Sequence, residues 1–529
     1  MKFTLDRNIQ TKEFNKHYNF CVGSCHAAMV LRHDYVKLLK KMKEDINIKY
    51  VRFHGIFCDD MHTLDTMKDV LKSFPNGEKY VEENFYLIGV AYDNLLECGL
   101  KPFVELSFMP DLLAKESTSE NGFYHSNMNE PRDYKEWANY IKHFIEFLIH
   151  RYGIEEVRTW YFEVWNEPDL YGAFFLGDKA AYFKLYKETA LAIKSVDSSL
   201  RVGGPSTSAS RWVNEFVEYC KKDDIPLDFV STHQYPGDPL AGVSGDEEEI
   251  KDPNEKLNKM NKLMNQFADS LTDKDTPLTI LRRMLQDPTE TKDIPSNIFR
   301  KNAKIVKNQT QGLPLFYTEW ALSAVFSAYS NDTKKAASYI VKTTLDIEPY
   351  VDGTSLWCMS DIFEEMHQFK EEFHGGFGLQ TIHGILKPSY YAMQILSNLP
   401  NKRYILDENA TDQKIGIAAF KDTSRDDILL FSHSMKTIES ETEEVEVIVS
   451  NPTAPKKVVV KRIDDTHGNP LALWEEKGQP KYLKPNEVKE MIEKSKVEEE
   501  ILEFEFIDNK VIVNVNVDLN DVYFIQIYW

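Results

Sequence analysis

Eight short apolar runs, separated by stretches of helical periodicity, leave this chain few architectures to adopt. The runs are Asn19–Ser24, Tyr50–Gly55, Pro102–Phe108, Trp160–Trp165, Arg201–Pro205, Phe229–His233, Leu313–Thr318 and Thr354–Met359. Between them, Leu87, Ala91, Leu95 and Cys98 recur at helical spacing and stop at Gly99. Trp137, Ile141, Phe144 and Leu148 form a second stripe, and Tyr182, Leu185, Tyr186 and Ile193 a third. Such stripes are core packing and carry no function of their own. Strands that alternate with helices predict an α/β fold, a closed (β/α)8 TIM barrel over residues 15–360.

The remainder has a different character. Lys387-Pro388-Ser389 precedes a helical stretch, Tyr390–Leu399, and then strict alternation takes over. Val445, Val447 and Val449 alternate with polar partners, as do Val511, Val513, Val515 and Val517, and Leu502, Phe504 and Phe506. Alternation means sheets with one buried face, so residues 361–529 are expected to form a loop and helix followed by an accessory C-terminal β-sandwich domain. A Lys/Glu-rich helical insert is expected at about 485–500, and the N-terminal strand of residues 1–14 is expected to join the sandwich. One connection is oversized. Residues 237–311 carry an acidic run, Asp246–Glu249, and a helical pattern of Leu257, Met260, Met264, Phe267 and Leu271. Because it follows a barrel strand, this insertion either borders the barrel mouth or decorates the surface away from it.

Composition excludes several roles. A net charge of −21 repels a nucleic acid or an anionic membrane surface. No run approaches the roughly 20 apolar residues of a spanning helix. The segment Met1–Arg7 is charged from its second residue and lacks the apolar core of a secretory signal, so a cytoplasmic location is expected. Six scattered cysteines suit a reducing compartment, and Cys21 and Cys25 lack the second pair that a zinc site requires. No metal and no cofactor is expected. The sandwich and its insert offer surface for self-association, so a homo-oligomer is admitted.

Two carboxylates then draw the chemistry together. Glu167, in Trp165-Asn166-Glu167-Pro168, ends the fourth strand, and Glu319, in Thr318-Glu319-Trp320, ends the seventh. Side chains at the C-terminal strand ends of such a barrel form its active site, so these two, remote in sequence, face each other across one mouth. A pair of this kind is what splitting a glycosidic bond demands: one acid to protonate the leaving group, one carboxylate to attack or stabilise the sugar cation. Glu167 is expected to stay protonated through burial and the negative charge of its partner, and Glu319 to be ionised. A structural ion pair is the plain alternative for Glu167, and Thr318-Glu319-Trp320 taken alone could be any strand end.

Further segments carry a resemblance. They include Tyr50-Val-Arg-Phe-His54-Gly-Ile-Phe-Cys-Asp-Asp60, Pro102-Phe-Val-Glu-Leu-Ser-Phe-Met-Pro110, Phe162-Glu-Val-Trp-Asn-Glu-Pro168 and Val202-Gly-Gly-Pro205. His233-Gln-Tyr235, Ser360-Asp-Ile-Phe-Glu-Glu365, Phe373-His-Gly-Gly-Phe-Gly-Leu379 and Asp465-Thr-His-Gly-Asn-Pro470 complete the set. Together they resemble clan A of the glycoside hydrolases, and within it the β-xylosidases of family 39. The resemblance implies a retaining mechanism on a small oligosaccharide or glycoside, with Glu167 as acid/base and Glu319 as nucleophile. It further implies that Asn166 meets the sugar 2-hydroxyl, that His54 and His233 bind sugar, and that Tyr235 donates to the nucleophile. Trp357 would floor the subsite, Glu364 and Glu365 would accept sugar hydroxyls, and Phe123 would wall the pocket. On chemistry alone a lone histidine such as His54 is more often packed core, a preference that the surrounding motif reverses; the plain reading of Trp357 is core, and that of Glu364 and Glu365 solvated acids. Trp320-Ala321 departs from the Tyr-Asn of those xylosidases, and the loop after strand six is longer than theirs. An exoglycosidase for another sugar (arabinopyranoside, galactoside, glucoside or iduronide) and a non-catalytic carbohydrate-binding barrel are the alternative readings.

Overall fold

The computed structural model describes residues 1–116, 126–241, 293–325, 327–364, 371–436 and 441–529, and singly 262, 268, 272, 280 and 289. The run Asp246–Glu249 and the residues Leu257, Met260, Met264, Phe267 and Leu271 lie outside the described residues, as do Phe123 and Glu365.

The chain opens with β1 (Lys2–Asp6) and β2 (Thr11–Glu13), then enters the barrel with β3 (Cys21–His26) and β4 (Tyr50–His54). A small hairpin, β5 (Leu64–Thr66) and β6 (Val81–Glu83), stands on the next loop. The barrel continues through β7 (Lys101–Leu106), β8 (Tyr161–Val164), β9 (Arg201–Thr207), β10 (Phe229–His233), β11 (Leu315–Trp320) and β12 (Gly353–Leu356). Strands β3, β4 and β7 to β12 close into one ring in chain order, all parallel. The helices after them run His33–Ile46, Tyr86–Glu97, Tyr134–Tyr152, Lys179–Val196, Val213–Lys222, Ile298–Gln309, Lys334–Ile347 and Pro388–Ser397. A parallel strand covered by helices outside and side chains inside is buried on both faces, which is why these segments read as continuous apolar runs. The seventh strand runs further than its apolar stretch, because His233 pairs with Glu319 on one side and Leu356 with Trp320 on the other.

The N-terminal end of the barrel is sealed by rings. Phe20, Tyr50, Phe103, Tyr161, Phe229 and Phe316 pack together, with Phe20 stacked on Phe316 at 4.7 Å and Phe103 on Tyr161 at 5.5 Å. Two glycines make the room. A Cβ on Gly203 would lie 2.4 Å from the carbonyl oxygen of Phe229, and one on Gly353 would lie 2.6 Å from the Phe20 ring.

Beyond the barrel come β13 (Lys402–Tyr404), β14 (Ile415–Lys421), β15 (Arg425–Ser432), β16 (Glu443–Ser450), β17 (Lys457–Ile463), β18 (Glu500–Ile501), β19 (Glu505–Ile507), β20 (Lys510–Val517) and β21 (Val522–Tyr528). One sheet has the order β1-β16-β20-β19 and the other β18-β17-β21-β15-β14-β13-β2. Their facing residues, among them Val447, Val513, Ile417, Leu430 and Ile525, form a core separate from that of the barrel. Strand β15 serves two cores by its period of two: Ile428 and Leu430 face the sandwich, Leu429 and Phe431 the barrel. The helix Lys334–Ile347 is thereby buried along its whole length.

Two expectations shift here. The insert holds two helices, Pro470–Glu476 and Pro485–Lys494, each opened by proline. The alternating run Leu502–Phe506 is not one strand, because β18 pairs with β17 in one sheet and β19 with β20 in the other. The chain crosses between sheets there, and Phe506 is left exposed. Among the described residues no helix is long and apolar enough to cross a membrane.

Truncating a ring in the sealed end tests its structural role. Phe316→Ala is expected to lower the unfolding free energy by about 3–5 kcal/mol in chemical denaturation, as for other buried aromatic truncations.

Candidate active site

Three charged residues stand inside the barrel where a hydrophobic layer would be expected. Arg52 from β4, Glu105 from β7 and Glu163 from β8 are all fully buried. The guanidinium meets Glu105 at 2.8 Å and Glu163 at 2.6 Å, and its Nη2 also donates to Asn166 Oδ1 (2.8 Å) and Ser206 Oγ (3.2 Å). Glu163 accepts in turn from Thr318 Oγ1 of β11 at 2.7 Å. Glu105 accepts from Ser107 Oγ and contacts His54 Nδ1 at 2.7 Å. Burial pushes the Glu105 carboxyl up, but Arg52 and His54 outweigh it and hold it below the ordinary range. Burial likewise works against the charged guanidinium, and Glu105, Glu163 and Glu319 more than compensate.

Above this belt sit the two carboxyls. Glu167 lies in a turn directly after β8 in which Trp165 (φ 73°) and Glu167 (φ 43°) are both left-handed, a strained state for residues with a Cβ. The Glu167 N–H donates to Ser206 O (2.8 Å) and the Trp165 indole to Phe174 O (2.9 Å), which hold the turn in place. Glu319 ends β11, and its Oε1 accepts from the Tyr235 hydroxyl at 2.5 Å. Its Oε2 lies 3.6 Å from Arg52 Nη1 and 3.7 Å from His233 Nδ1. His233 Nδ1 also meets Glu167 Oε1 at 2.9 Å, so this ring links the two acids. One oxygen of each carboxyl and a ring nitrogen of His233 all lie within 4.8 Å of one another.

Their environments push both carboxyls up, but not equally. Burial drives Glu167 well above the usual carboxyl range, and the charges of Asp169 and Asp238 add to it, against the pull of His54 and Arg52. Burial raises Glu319 too, opposed by His233, His54 and Arg52, while the charge of Glu167 would raise it further. Two acids this close do not ionise together. The proton they share belongs on Glu167, since Tyr235 and Arg52 favour the ionised form of Glu319. Burial pulls His233 down to about 4, so its ring is neutral at pH 7.

The sugar-binding candidates gather unevenly. His54 is buried against Trp357, ring centres 4.9 Å apart, and Trp357 lies over Gly23, where a Cβ would come 2.4 Å from its ring. Asn166 gives its oxygen to Arg52, while its amide Nδ2 is buried without a hydrogen-bond partner among the described residues. Such a donor is costly unless something else accepts from it. Glu364 follows Phe363, which packs on Trp357, but its carboxylate is ion-paired to Arg32 at 2.5 Å. Trp320 points away from the mouth, packed against Phe299 and Tyr339. The sequence reading passed over Arg52, Glu105 and Glu163, although each stands as a lone charge within an apolar run on consecutive barrel strands.

Glu167, His233 and Glu319 have the mutual spacing of metal ligands. Here the positive charge beside Glu319 is that of Arg52 and a hydroxyl takes its other oxygen, so the trio is arranged to handle a proton.

Comparison with known proteins points the same way. The family described as glycosyl hydrolases family 39 matches residues 1–280 and 282–505. The chain is 36% identical over 513 residues to a β-xylosidase of Caldicellulosiruptor saccharolyticus, covering 97% of this chain and 95% of the relative. It is 32% identical over 478 residues to a β-xylosidase of Geobacillus stearothermophilus, covering 89% and 84%. Among solved structures, a family 39 β-xylosidase from Caulobacter crescentus is similar over the whole of both chains, at 28% identity and a TM-score of 0.75.

Removing the central cation exposes the buried acids to one another. Arg52→Met is expected to lower the unfolding free energy by about 3–5 kcal/mol at pH 7. Because the depressed Glu105 contributes its full stabilisation above its unfolded pKa, of about 4, and loses it as the pH falls on through the lower folded value, wild type and variant should draw together progressively below that pH. Denaturant titrations at several pH values read both effects.

Proposed function

The chain belongs to glycosyl hydrolase family 39, and on that premise we propose that it is a retaining exo-acting β-D-xylosidase that releases xylose from the non-reducing ends of short xylo-oligosaccharides. The glycosidase class follows from the family. The sugar is inferred from relatives that are β-xylosidases along nearly their whole length. One observation carries the mechanism: a carboxyl oxygen of Glu167 lies within 4.8 Å of one of Glu319. Retaining glycosidases hold their carboxyls about 5–5.5 Å apart, whereas inverting enzymes need about 6.5–9.5 Å to admit a water between acid and sugar.

In this reading Glu319 attacks the anomeric carbon as Glu167 protonates the departing oxygen. The covalent glycosyl–enzyme on Glu319 is then opened by water, whose proton returns to Glu167. Tyr235 and Arg52 stabilise Glu319 whenever it is free and negative. Neutral His233 keeps contact with both acids without competing for the transferred proton. The open Nδ2 of Asn166 supplies a donor for the sugar 2-hydroxyl, and the Trp357 ring, tilted against His54, supplies an apolar surface. A carboxylate already satisfied by Arg32 leaves Glu364 a smaller part in sugar binding.

Proton NMR during hydrolysis of a nitrophenyl β-xyloside should show β-xylose as the first product, with the α anomer appearing only by mutarotation; initial α-xylose would rule out double displacement. Glu319→Gly should lose turnover on every substrate. Glu167→Ala should fall by about 10²–10⁴-fold on xylobiose, where the leaving group needs a proton, and far less on a dinitrophenyl xyloside. Added azide should accelerate that variant and yield β-xylosyl azide. A panel of nitrophenyl glycosides checks the sugar, with the xyloside expected to lead.

A further inference from the structure

Two loops at the barrel mouth, after β11 and after β12, are joined through one buried ammonium that the mechanism does not use. The side chain of Lys387, just before the helix Pro388–Ser397, has no solvent exposure, and neither have those of its partners Asp332 and Asp361. Its Nζ meets Asp332 Oδ1 and Asp361 Oδ2, both at 2.6 Å, and donates to Gly376 O at 3.0 Å. The other oxygens of the two aspartates accept backbone N–H groups of the same glycine-rich segment, Asp332 Oδ2 from Gly375 (2.6 Å) and Asp361 Oδ1 from Gly378 (2.7 Å). That segment has no room for side chains beside Asp361. A Cβ on Gly376 would lie 2.4 Å from Asp361 Oδ1, and one on Gly378 would lie 2.2 Å from Asp361 N.

The cluster grips Phe377 from both sides, since Gly376 and Gly378 flank it. From there ring contacts lead into the site. Phe377 packs edge-on against Phe363 at 5.5 Å, Phe363 packs edge-on against Trp357 at 5.9 Å, and Trp357 lies 4.9 Å from His54. The backbone follows the same line: Cys358 N donates to Phe377 O (3.2 Å), Leu379 N to Cys358 O (3.0 Å) and Asp361 N to Gln380 O (2.8 Å). A continuous set of contacts therefore runs from the Lys387 ammonium to the aromatic surface proposed for the sugar. A buried ion cluster is often no more stable than apolar packing of like volume, so fold stability alone does not account for this one. Binding groups keep a productive geometry only when the residues behind them are locked, and the cluster supplies that lock.

We propose that Lys387, clasping Asp332 and Asp361, is a positioning residue that holds Phe377 and Phe363 behind Trp357 and so fixes the orientation in which the indole meets the sugar. The proposal rests on the reading of Trp357 as sugar-binding surface given above.

The test measures Ki for xylose together with KM and kcat on a dinitrophenyl β-xyloside. Lys387→Met should raise Ki and KM by about 10-fold each while kcat changes less, the mark of weakened binding of the sugar rather than of lost chemistry. Asp332→Asn, which leaves Lys387 its pair with Asp361, is the milder change and should raise Ki by about 3-fold. Phe316→Ala, at the sealed end of the barrel, lowers stability without reaching the mouth and should keep the wild-type Ki. If the cluster served the fold alone, its variants would behave like Phe316→Ala, with less folded protein and a lower apparent kcat at an unchanged Ki. An unchanged Ki in Asp332→Asn overturns this proposal alone, even where Lys387→Met cannot be isolated. A wild type that neither turns over the xyloside nor binds xylose overturns the functional reading and this proposal with it.

Discussion

The buried guanidinium of Arg52 is the contact on which the rest of the site depends. It fills the barrel interior between strands that would otherwise set Glu105, Glu163 and Glu319 against one another without a counter-ion. A cation taken wholly out of water is tolerated only when its partners are numerous and well placed, and Arg52 has three carboxylates, an amide oxygen and a hydroxyl. The planar, five-donor guanidinium can reach partners on several strands at once, which the single ammonium of a lysine could not match. The fold and the chemistry meet at this residue, because its position relative to Glu319 is fixed by the same bonds that register β4 against β7 and β8.

Above that anchor, two identical side-chain types are given opposite tasks by what surrounds them. Both are buried, so both resist ionisation. The difference comes from their neighbours: a phenol and a guanidinium at Glu319, aspartates at Glu167. The strained turn that carries Glu167 sets its direction, and Ser206 from the next strand holds the turn by its carbonyl.

The barrel was legible because parallel strands buried on both faces and amphipathic helices leave different periods in the sequence, and the eight strands fall close to the apolar runs. Glu167 and Glu319 were legible because strand counting puts them on one rim. The inner ion cluster was not, because a single charge within an apolar run reads as noise until the runs are aligned in space. Arg52, Glu105 and Glu163 stand on three successive strands, and the pairing of those strands, with Glu105 directly opposite Glu163, makes them neighbours. Asp238 was hidden for a different reason: it lies at the start of a long insertion, where an acidic residue looks like solvated surface. The crossing at Leu502–Phe506 misled for a third reason, since alternation records which side is buried but not which sheet provides the partner.

The ring-sealed floor of the barrel has a kinetic corollary. Among the described residues, Phe20, Phe103, Phe229 and Phe316 fill the far end of the barrel, away from the rim that bears Glu167 and Glu319. Packing there turns traffic to and from Glu319 toward the rim side of the barrel. A shared threshold sets arrival against departure, so under the proposed mechanism the leaving fragment has to clear the rim before water can use the same path.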